Sequence, residues 1–145
     1  MVKFNISKKS PVYIIAEMSG NHNGKIENAY KIIKECKRIG VNAVKIQTYE
    51  PEDITLQSNN KDFLINKTSP WSKNKSLWNL YSKAQTPFDW QKKIFKYAKK
   101  IGIEIFSSPF SERAVDLLEN IGCNIYKLAS PEINHIPLIE KIAKT

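Results

Sequence analysis

Residues 39–45, IGVNAVK, set a pattern that returns at residues 101–107 (IGIEIFS) and 121–127 (IGCNIYK). In each segment an apolar residue and a glycine precede a short, mostly apolar run that ends in a polar side chain. A glycine directly after a helical pattern is a common left-handed C-cap, and a short run rich in β-branched residues suits a buried strand. The three segments therefore predict three joints where a helix ends and a strand begins.

Helical patterns fill the segments between these joints, and one more strand is predicted before them, at residues 12–17 (VYIIAE). Apolar side chains recur at helical spacing over three stretches, residues 26–36, 94–101 and 114–121. Thr86 followed by Pro87, and separately Ser111, supply helix-start signals. A last helix is predicted to begin near Pro137 and to run to the end of the chain.

Alternating strands and helices favour a parallel sheet, either in an open doubly wound layer or in part of a barrel. A closed (β/α)8 barrel takes about 200 residues or more, whereas this chain has 145. The sequence is therefore expected to be too short for a whole barrel.

Residues 49–85 separate the second strand from the next helix and exceed the usual length of a βα loop. The segment contains Trp71, Trp78, Leu80 and Tyr81, so we expect it to be ordered. A long ordered insertion at the carboxyl end of a strand suits a substrate lid, and it equally suits a packing cover.

Composition narrows the class of protein. Hydrophobic residues make up 41% of the chain, too many for a disordered tail, and no apolar run approaches the ~20 residues of a membrane span. Cys36 and Cys123 are expected to be reduced thiols of a cytoplasmic protein. The net charge of +9 comes mostly from lysines on predicted helix faces. Because only Arg38 and Arg113 could form bidentate contacts, nucleic acid is not the expected partner.

Polar side chains collect where the predicted strands end. They are Glu17, Lys45, Gln47, Ser107, Ser108, Lys127, Ser130 and Glu132. The carboxyl ends of parallel strands meet at one edge of a sheet, where α/β proteins bind ligands. A lysine within an apolar strand is costly unless an anion or carboxylate meets it. These residues predict a site for a small, anionic and phosphorylated ligand.

Three interpretations of the role of the strand-end lysines remain open. Lys45 or Lys127 could form a structural ion pair with Glu17. Either lysine could be a Schiff-base nucleophile in an aldol reaction. Both could instead be fixed charges around phosphate and carboxylate groups, leaving a carboxylate for proton transfer. His22 and His135 are too few to form a metal site by themselves.

Four motifs carry a family resemblance. They are residues 15–24 (IAEMSGNHNG), 44–48 (VKIQT), 107–110 (SSPF) and 126–132 (YKLASPE). Together and in this order they resemble the sialic acid synthase family, which condenses phosphoenolpyruvate with an amino-sugar to give nine-carbon nonulosonic acids. Residues 18–24, 76–81 and 86–90 are most similar to the branch that makes pseudaminic acid. N-acetylneuraminate and legionaminate are the alternative products.

The resemblance implies roles for individual residues. Glu17 corresponds to the family's catalytic glutamate on the first strand. The implied phosphoenolpyruvate-binding residues are Lys45, Lys127, Ser130 and Ser108. The implied sugar-binding residues are Gln47, Phe110, Glu132, Asn21 and His22. No metal ligand is implied within this chain.

The resemblance also implies the setting of the site. Residues 1–145 correspond to the N-terminal half of a TIM (β/α)8 barrel, with about four βα units. The rest of the barrel, the small C-terminal antifreeze-like (SAF) domain and the ligands of a divalent metal (Mn or Mg) are expected outside this chain. The segment alone is expected to be inactive, and the full-length enzyme a cytoplasmic homodimer without nucleic-acid or membrane partners. A non-catalytic half-barrel for anion binding or oligomerisation is the alternative from another class.

Overall fold

Three parallel strands form the sheet of the computed structural model, which describes residues 9–145. They are β1 (Ile15–Glu17), β2 (Ala43–Thr48) and β3 (Glu104–Pro109). β2 lies in the centre and pairs in parallel with both neighbours. The carboxyl ends of all three strands therefore lie at the same edge of the sheet.

Helices connect and follow these strands in the part of the chain that the structure describes. The α-helices are α1 (Ile26–Arg38), α2 (Pro51–Ile54), α3 (Leu77–Ala84), α4 (Phe88–Ile101), α5 (Glu112–Asn120) and α6 (Ile136–Ala143). Single turns of 3-10 helix occupy Lys61–Phe63, Ser72–Asn74 and Ser130–Glu132. The alternation confirms the predicted α/β class. None of the described helices is long and apolar enough to cross a membrane.

The left-handed glycine conformation is confirmed at all three predicted joints, and a strand follows the first two. Gly40, Gly102 and Gly122 have φ angles of 83°, 72° and 78°, the left-handed region that glycine adopts without a Cβ penalty. The Ser111 hydroxyl caps α5 by accepting a hydrogen bond from the Ala114 N–H at 3.3 Å. Two helix boundaries differ slightly from prediction: α4 has Pro87 rather than Thr86 at its N-cap, and α6 ends at Ala143.

The fourth predicted strand, residues 123–127, is a correction, because it forms a single bridge instead of a ladder. Tyr126 pairs with Ser107 of β3, and the Lys127 N–H donates to the Ser107 carbonyl at 3.0 Å. Local geometry limits the pairing on both sides of this bridge. The Ile125 carbonyl accepts a hydrogen bond from the Cys123 thiol at 3.1 Å, and the chain soon enters the 3-10 turn that contains Pro131.

The core lies between the sheet and its helices, and the alternation of β2 decides which side chains reach the site. Val44 and Ile46 are fully buried in the apolar cluster that includes Ile33 of α1 and Ile94 of α4. Successive side chains of a strand point to opposite faces. Lys45 and the residues in step with it therefore lie on the face away from these helices.

The insertion between β2 and α4 is ordered, as predicted. Its first turn, α2, is fixed by Arg113 of α5, whose guanidinium lies 2.6 Å from Glu50, 3.1 Å from Glu52 and 2.9 Å from Asp53. Its last helix, α3, packs so closely on the loop after β1 that a Cβ on Gly20 would lie 2.9 Å from the Ala84 carbonyl oxygen. The insertion is thus anchored at both ends beside the carboxyl edge of the sheet.

Candidate active site at the carboxyl edge of the sheet

An open cleft of about 670 Å³ lies at the carboxyl edge of the sheet. Eight of the ten site residues predicted from the sequence line it, namely Glu17, Asn21, Lys45, Gln47, Phe110, Lys127, Ser130 and Glu132. The residues come from β1, β2, the loop after β3 and the segment after α5. The fold therefore brings together side chains that are more than 100 residues apart in sequence.

Lys45 and Glu17 form an ion pair on one side of the cleft. Parallel register places these two residues directly beside each other on β2 and β1. The Lys45 side chain is 14% exposed and the Glu17 side chain 44% exposed. The ammonium also lies 3.5 Å from the Ser108 hydroxyl. The first of the three interpretations, a structural ion pair, is therefore present, and it leaves the glutamate accessible to a ligand.

Ser19 links Glu17 to Gln47. The Ser19 N–H donates to a Glu17 carboxylate oxygen at 3.1 Å, and the Ser19 hydroxyl donates to Gln47 Oε1 at 2.9 Å. The Gln47 Nε2 hydrogens have no partner among residues 9–145. Because the amide oxygen is already engaged, Gln47 presents hydrogen-bond donors to the cleft.

Lys127 lies across the cleft from this pair and differs from Lys45 in its surroundings. It is exposed, and within residues 9–145 its ammonium has no ion-pair or hydrogen-bond partner. Ser130 opens the 3-10 turn next to it and also lines the cleft. An unpaired cation beside a hydroxyl is suited to an oxyanion such as phosphate or carboxylate.

Glu132 and Asn21 complete the polar lining. The Glu132 carboxylate lies 3.3 Å from Nδ1 of His135, with 15% of the glutamate side chain exposed. The Asn21 side-chain amide donates to the Met18 carbonyl at 2.9 Å, which leaves its own carbonyl oxygen for a ligand. Both residues present hydrogen-bond acceptors to the cleft.

The other two predicted site residues, His22 and Ser108, are buried and are not part of the cleft lining. Nδ1 of His22 accepts a hydrogen bond from the Gly24 N–H at 3.1 Å, and Nε2 lies 3.3 Å from the Thr86 hydroxyl. Burial lowers the pKa of this imidazole, so it is neutral at pH 7, with its proton on Nε2. Ser108 lies beneath Lys45. Ser108 thus supports Lys45, which lines the cleft, whereas His22 connects the loop after β1 to Thr86.

The predicted site residue Phe110 belongs to an aromatic wall whose other members were not predicted as part of the site. Tyr49 makes edge-to-face contacts with Phe110 at 5.5 Å and with Tyr81 at 6.0 Å between ring centroids. Trp71 and Leu80 extend this wall. The aromatic content of the insertion signalled an ordered segment, but only the packing shows which rings face the cleft.

A buried polar network lies behind β2. The Thr48 hydroxyl lies 2.8 Å from Gln91 Oε1 and 2.6 Å from the Ser107 hydroxyl. The Gln91 side-chain amide donates to the Thr86 carbonyl at 3.2 Å. Since Gln91 Oε1 can only accept, Thr48 donates to it. The Ser107 hydroxyl lies within hydrogen-bond distance of both the Thr48 hydroxyl and the Ile46 carbonyl, at 2.6 Å and 3.2 Å. The network joins α4 to β2 and β3 directly behind the cleft.

The described residues do not form a metal site. No group of three or more His, Cys, Asp or Glu side chains converges within residues 9–145. Glu17 is paired with Lys45, and both ring nitrogens of His22 are occupied. The divalent metal implied by the sequence resemblance therefore obtains no ligand set from these residues, and its binding remains a prediction.

Parallel strands whose carboxyl ends present cations, a carboxylate and amide donors define the class of α/β enzyme site that binds a small anionic ligand. Comparison with known proteins then gives the particular family. The model of the NeuB family matches residues 32–145, and the chain belongs to this family.

Individual relatives belong to the same family, and their alignments show what fraction of a relative's length the chain spans. The chain is 46% identical over 141 residues to pseudaminic acid synthase of Campylobacter jejuni and 44% identical over 135 residues to that of Helicobacter pylori. These alignments cover 97% and 93% of the chain, but only 40% and 39% of the relatives. The chain thus spans about two-fifths of the length of the curated relatives it matches.

A solved structure supports the fold. The N-acetylneuraminic acid (sialic acid) synthetase of Leptospira borgpetersenii, crystallised with citrate, superposes with a TM-score of 0.76 at 30% identity. The match covers 93% of this chain and 42% of that protein. The three-stranded parallel sheet corresponds to part of a sialic acid synthase TIM barrel.

Proposed function

We propose that the gene product containing this chain condenses phosphoenolpyruvate with 2,4-diacetamido-2,4,6-trideoxy-altrose to give pseudaminic acid and phosphate. One observation carries this proposal. The cleft holds an unpaired lysine, Lys127, facing a lysine–glutamate pair, Lys45 and Glu17. Such a site can neutralise an anion with two charged groups and still keep a carboxylate for proton transfer.

The charges suit the two ends of phosphoenolpyruvate. Lys127 and the Ser130 hydroxyl would bind one oxyanion, and Lys45 with Ser108 behind it would bind the other. Carbon 3 of the enol then attacks the aldehyde carbon of the open-chain sugar. Water adds at carbon 2, and the carbon–oxygen bond to phosphate breaks. Glu17 would accept a proton from the attacking water and deliver it to the former aldehyde oxygen, which becomes a hydroxyl group, while the second water proton leaves as carbon 2 becomes a ketone and phosphate departs.

The ion pair of Lys45 favours this mechanism over Schiff-base chemistry. A Schiff base needs a free amine, whereas the Lys45 ammonium is held by Glu17 and lies near Ser108. The lysines therefore serve as fixed charges. Borohydride treatment in the presence of substrate should leave no adduct on Lys45 or Lys127.

Sequence similarity supports pseudaminic acid as the product. The curated relatives at 44–46% identity are pseudaminic acid synthases, whereas the matched sialic acid synthetase structure is 30% identical. N-acetylneuraminate and legionaminate are the alternatives. We place the reaction in the cytoplasm, where phosphoenolpyruvate is made, and expect the full-length enzyme to be a homodimer.

A turnover assay tests the proposal. The gene product is incubated with phosphoenolpyruvate, Mn²⁺ and each of three sugars: the diacetamido-trideoxy-altrose, its manno isomer and N-acetylmannosamine. We expect phosphate release to be fastest with the altrose derivative. With ¹⁸O in the bridging position of phosphoenolpyruvate, the label should appear in phosphate. Release with none of the sugars would refute the synthase function, and preference for another sugar would change the product assignment.

A further inference from the structure

The Tyr49 hydroxyl is a buried polar group without a partner. Tyr49 directly follows β2 and is 2% exposed, yet its hydroxyl makes no hydrogen bond within residues 9–145. Thr55 Oγ1 is the only fully enclosed unpaired side-chain oxygen or nitrogen in the described part of the chain. The Tyr49 oxygen is therefore not sealed in the core, and the residue lines the cleft.

The ring of Tyr49 is held in place. Phe110 and Tyr81 contact it edge-to-face from two directions. The Phe110 N–H donates to the Thr48 carbonyl at 3.2 Å, which fixes the backbone immediately before the tyrosine. After it, Glu50 and Asp53 form a capping box, and both are ion-paired to Arg113. The hydroxyl cannot easily swing away to find a partner in the protein.

The chemistry around this hydroxyl is that of a neutral donor in an apolar wall. Burial, together with the neighbouring Tyr81, raises the pKa of Tyr49 to about 12, so the phenol keeps its proton at neutral pH. Phosphate and carboxylate groups are better served by the lysines elsewhere in the cleft. The rings of Tyr81 and Phe110, which also line the cleft, form an apolar surface that suits a methyl group.

We infer that the Tyr49 hydroxyl donates a hydrogen bond to an acetamido carbonyl of the amino-sugar, while the acetamido methyl group packs against Tyr81 and Phe110. An acetamido group has the required combination of a carbonyl acceptor and a methyl group on one planar unit. This inference rests on the proposed function, because that function supplies a substrate with two such groups. It makes Tyr49 a residue that determines which sugars are accepted.

Tyr49→Phe is the direct test, because it removes only the oxygen. The Kd of the gene product for the diacetamido sugar is measured by calorimetry, independently of turnover. A neutral hydrogen bond contributes ~0.5–1.5 kcal/mol, so the sugar should bind about 3- to 10-fold more weakly. The Kd of phosphoenolpyruvate and the melting temperature should stay unchanged. Tyr97→Phe is the matched control, since Tyr97 packs on Tyr30 between α1 and α4.

Two analogues locate the contact, one lacking the acetamido group at carbon 2 and the other at carbon 4. The difference between wild type and Tyr49→Phe should vanish for one of them. Equal sugar affinity in the two proteins, an equal loss for phosphoenolpyruvate, or a difference that persists with both analogues would overturn the inference. A wild-type protein that binds no acetamido sugar would also overturn it. Sugar binding without phosphate release would refute only the synthase function.

Discussion

The two sides of the cleft are built differently. The ladder side comprises Glu17, Ser19, Lys45 and Gln47, and the bridge side comprises Lys127, Ser130 and Glu132. On the ladder side, strand pairing sets the register and each cited side chain already has a partner. On the bridge side, one bridge holds the backbone and the Lys127 ammonium has no partner within residues 9–145. A regular ladder produces a preorganised set of groups, whereas the isolated bridge leaves a cation for a ligand.

Removing the carboxylate from the ladder side should have the largest effect. Glu17→Gln keeps the shape of the side chain but can no longer accept a proton, so turnover should fall about 10²- to 10⁴-fold. The free energy of unfolding should also fall, by about 1–3 kcal/mol, because the Lys45 side chain is only 14% exposed and its ammonium loses the opposite charge. Phosphate release and thermal melting measure the two effects. Glu27→Gln, on the exposed first turn of α1, is the matched control.

Full turnover by Glu17→Gln would show that the ladder side only organises the site. Loss of folding in this variant would show that the Lys45–Glu17 pair is required for the fold. Either result would contradict the prediction that Glu17 contributes mainly to turnover.

Neutralising the bridge side should have the next largest effect. Lys127→Ala removes the unpaired ammonium, and a charge-assisted hydrogen bond contributes ~1.5–3 kcal/mol, so the KM of phosphoenolpyruvate should rise about 10- to 100-fold. The melting temperature should stay the same, because this ammonium contacts no other group in residues 9–145. Lys96→Ala, on the exposed face of α4, is the control. An unchanged KM would assign the anion to the ladder side alone.

The glycine joints and the strand ends could be predicted from the sequence because both depend on local chemistry. Gly102 caps α4 within its own turn, and Lys45 follows from the alternation of one strand. The placement of His22 could not be predicted in this way. Its partner Thr86 is 64 residues away, so the motif that contains His22 does not reveal whether the ring faces the cleft or the interior.

The single bridge at Tyr126 and the contacts of Tyr49 could not be predicted for similar reasons. Residues 123–127 have the composition of a strand. However, the hydrogen bond from the Cys123 thiol to the Ile125 carbonyl and the turn at Pro131 limit the pairing to one bridge. Tyr49 is simply the first residue after β2 in the sequence. Its partners Tyr81 and Phe110 lie in the insertion and directly after β3, and only the folded chain brings these together.

Adding a methyl group at Gly20, where the loop after β1 contacts α3 of the insertion, should have a moderate effect on stability and on sugar binding. In Gly20→Ala the new methyl group would lie 2.9 Å from the Ala84 carbonyl oxygen and 3.1 Å from its Cβ. Overpacking of this kind costs about 1–3 kcal/mol. We expect a lower melting temperature and a higher KM for the sugar, since α3 carries Tyr81, while the KM of phosphoenolpyruvate changes less.

The double variant Gly20→Ala/Ala84→Gly checks the cause. It removes the clashing Cβ but keeps the carbonyl, so it should recover part of the lost stability. Equal changes in both KM values for Gly20→Ala would show that the insertion supports the whole cleft and not the sugar side in particular.

The smallest effect should come from His22, and it should appear only as a dependence on pH. Burial lowers the pKa of this imidazole in the folded protein below its ordinary 6.5, so folding excludes a proton that the unfolded chain binds. The contribution of His22 to the free energy of unfolding is therefore constant above about pH 7. It declines as the pH falls through 6.5, by at most about 1.4 kcal/mol per pH unit, until the folded imidazole also takes up its proton.

Urea unfolding between pH 8 and pH 5 measures this slope. The wild type should lose stability below pH 6.5, and His22→Gln should lose less over the same range, although it is less stable at pH 8. The carboxyl of Glu52, whose pKa is held below 4.5 by hydrogen bonds to its own backbone N–H and to Arg113, affects stability only at lower pH. His135→Gln, which removes the other histidine, is the matched control. A slope that persists in His22→Gln would show that His22 does not cause the pH dependence.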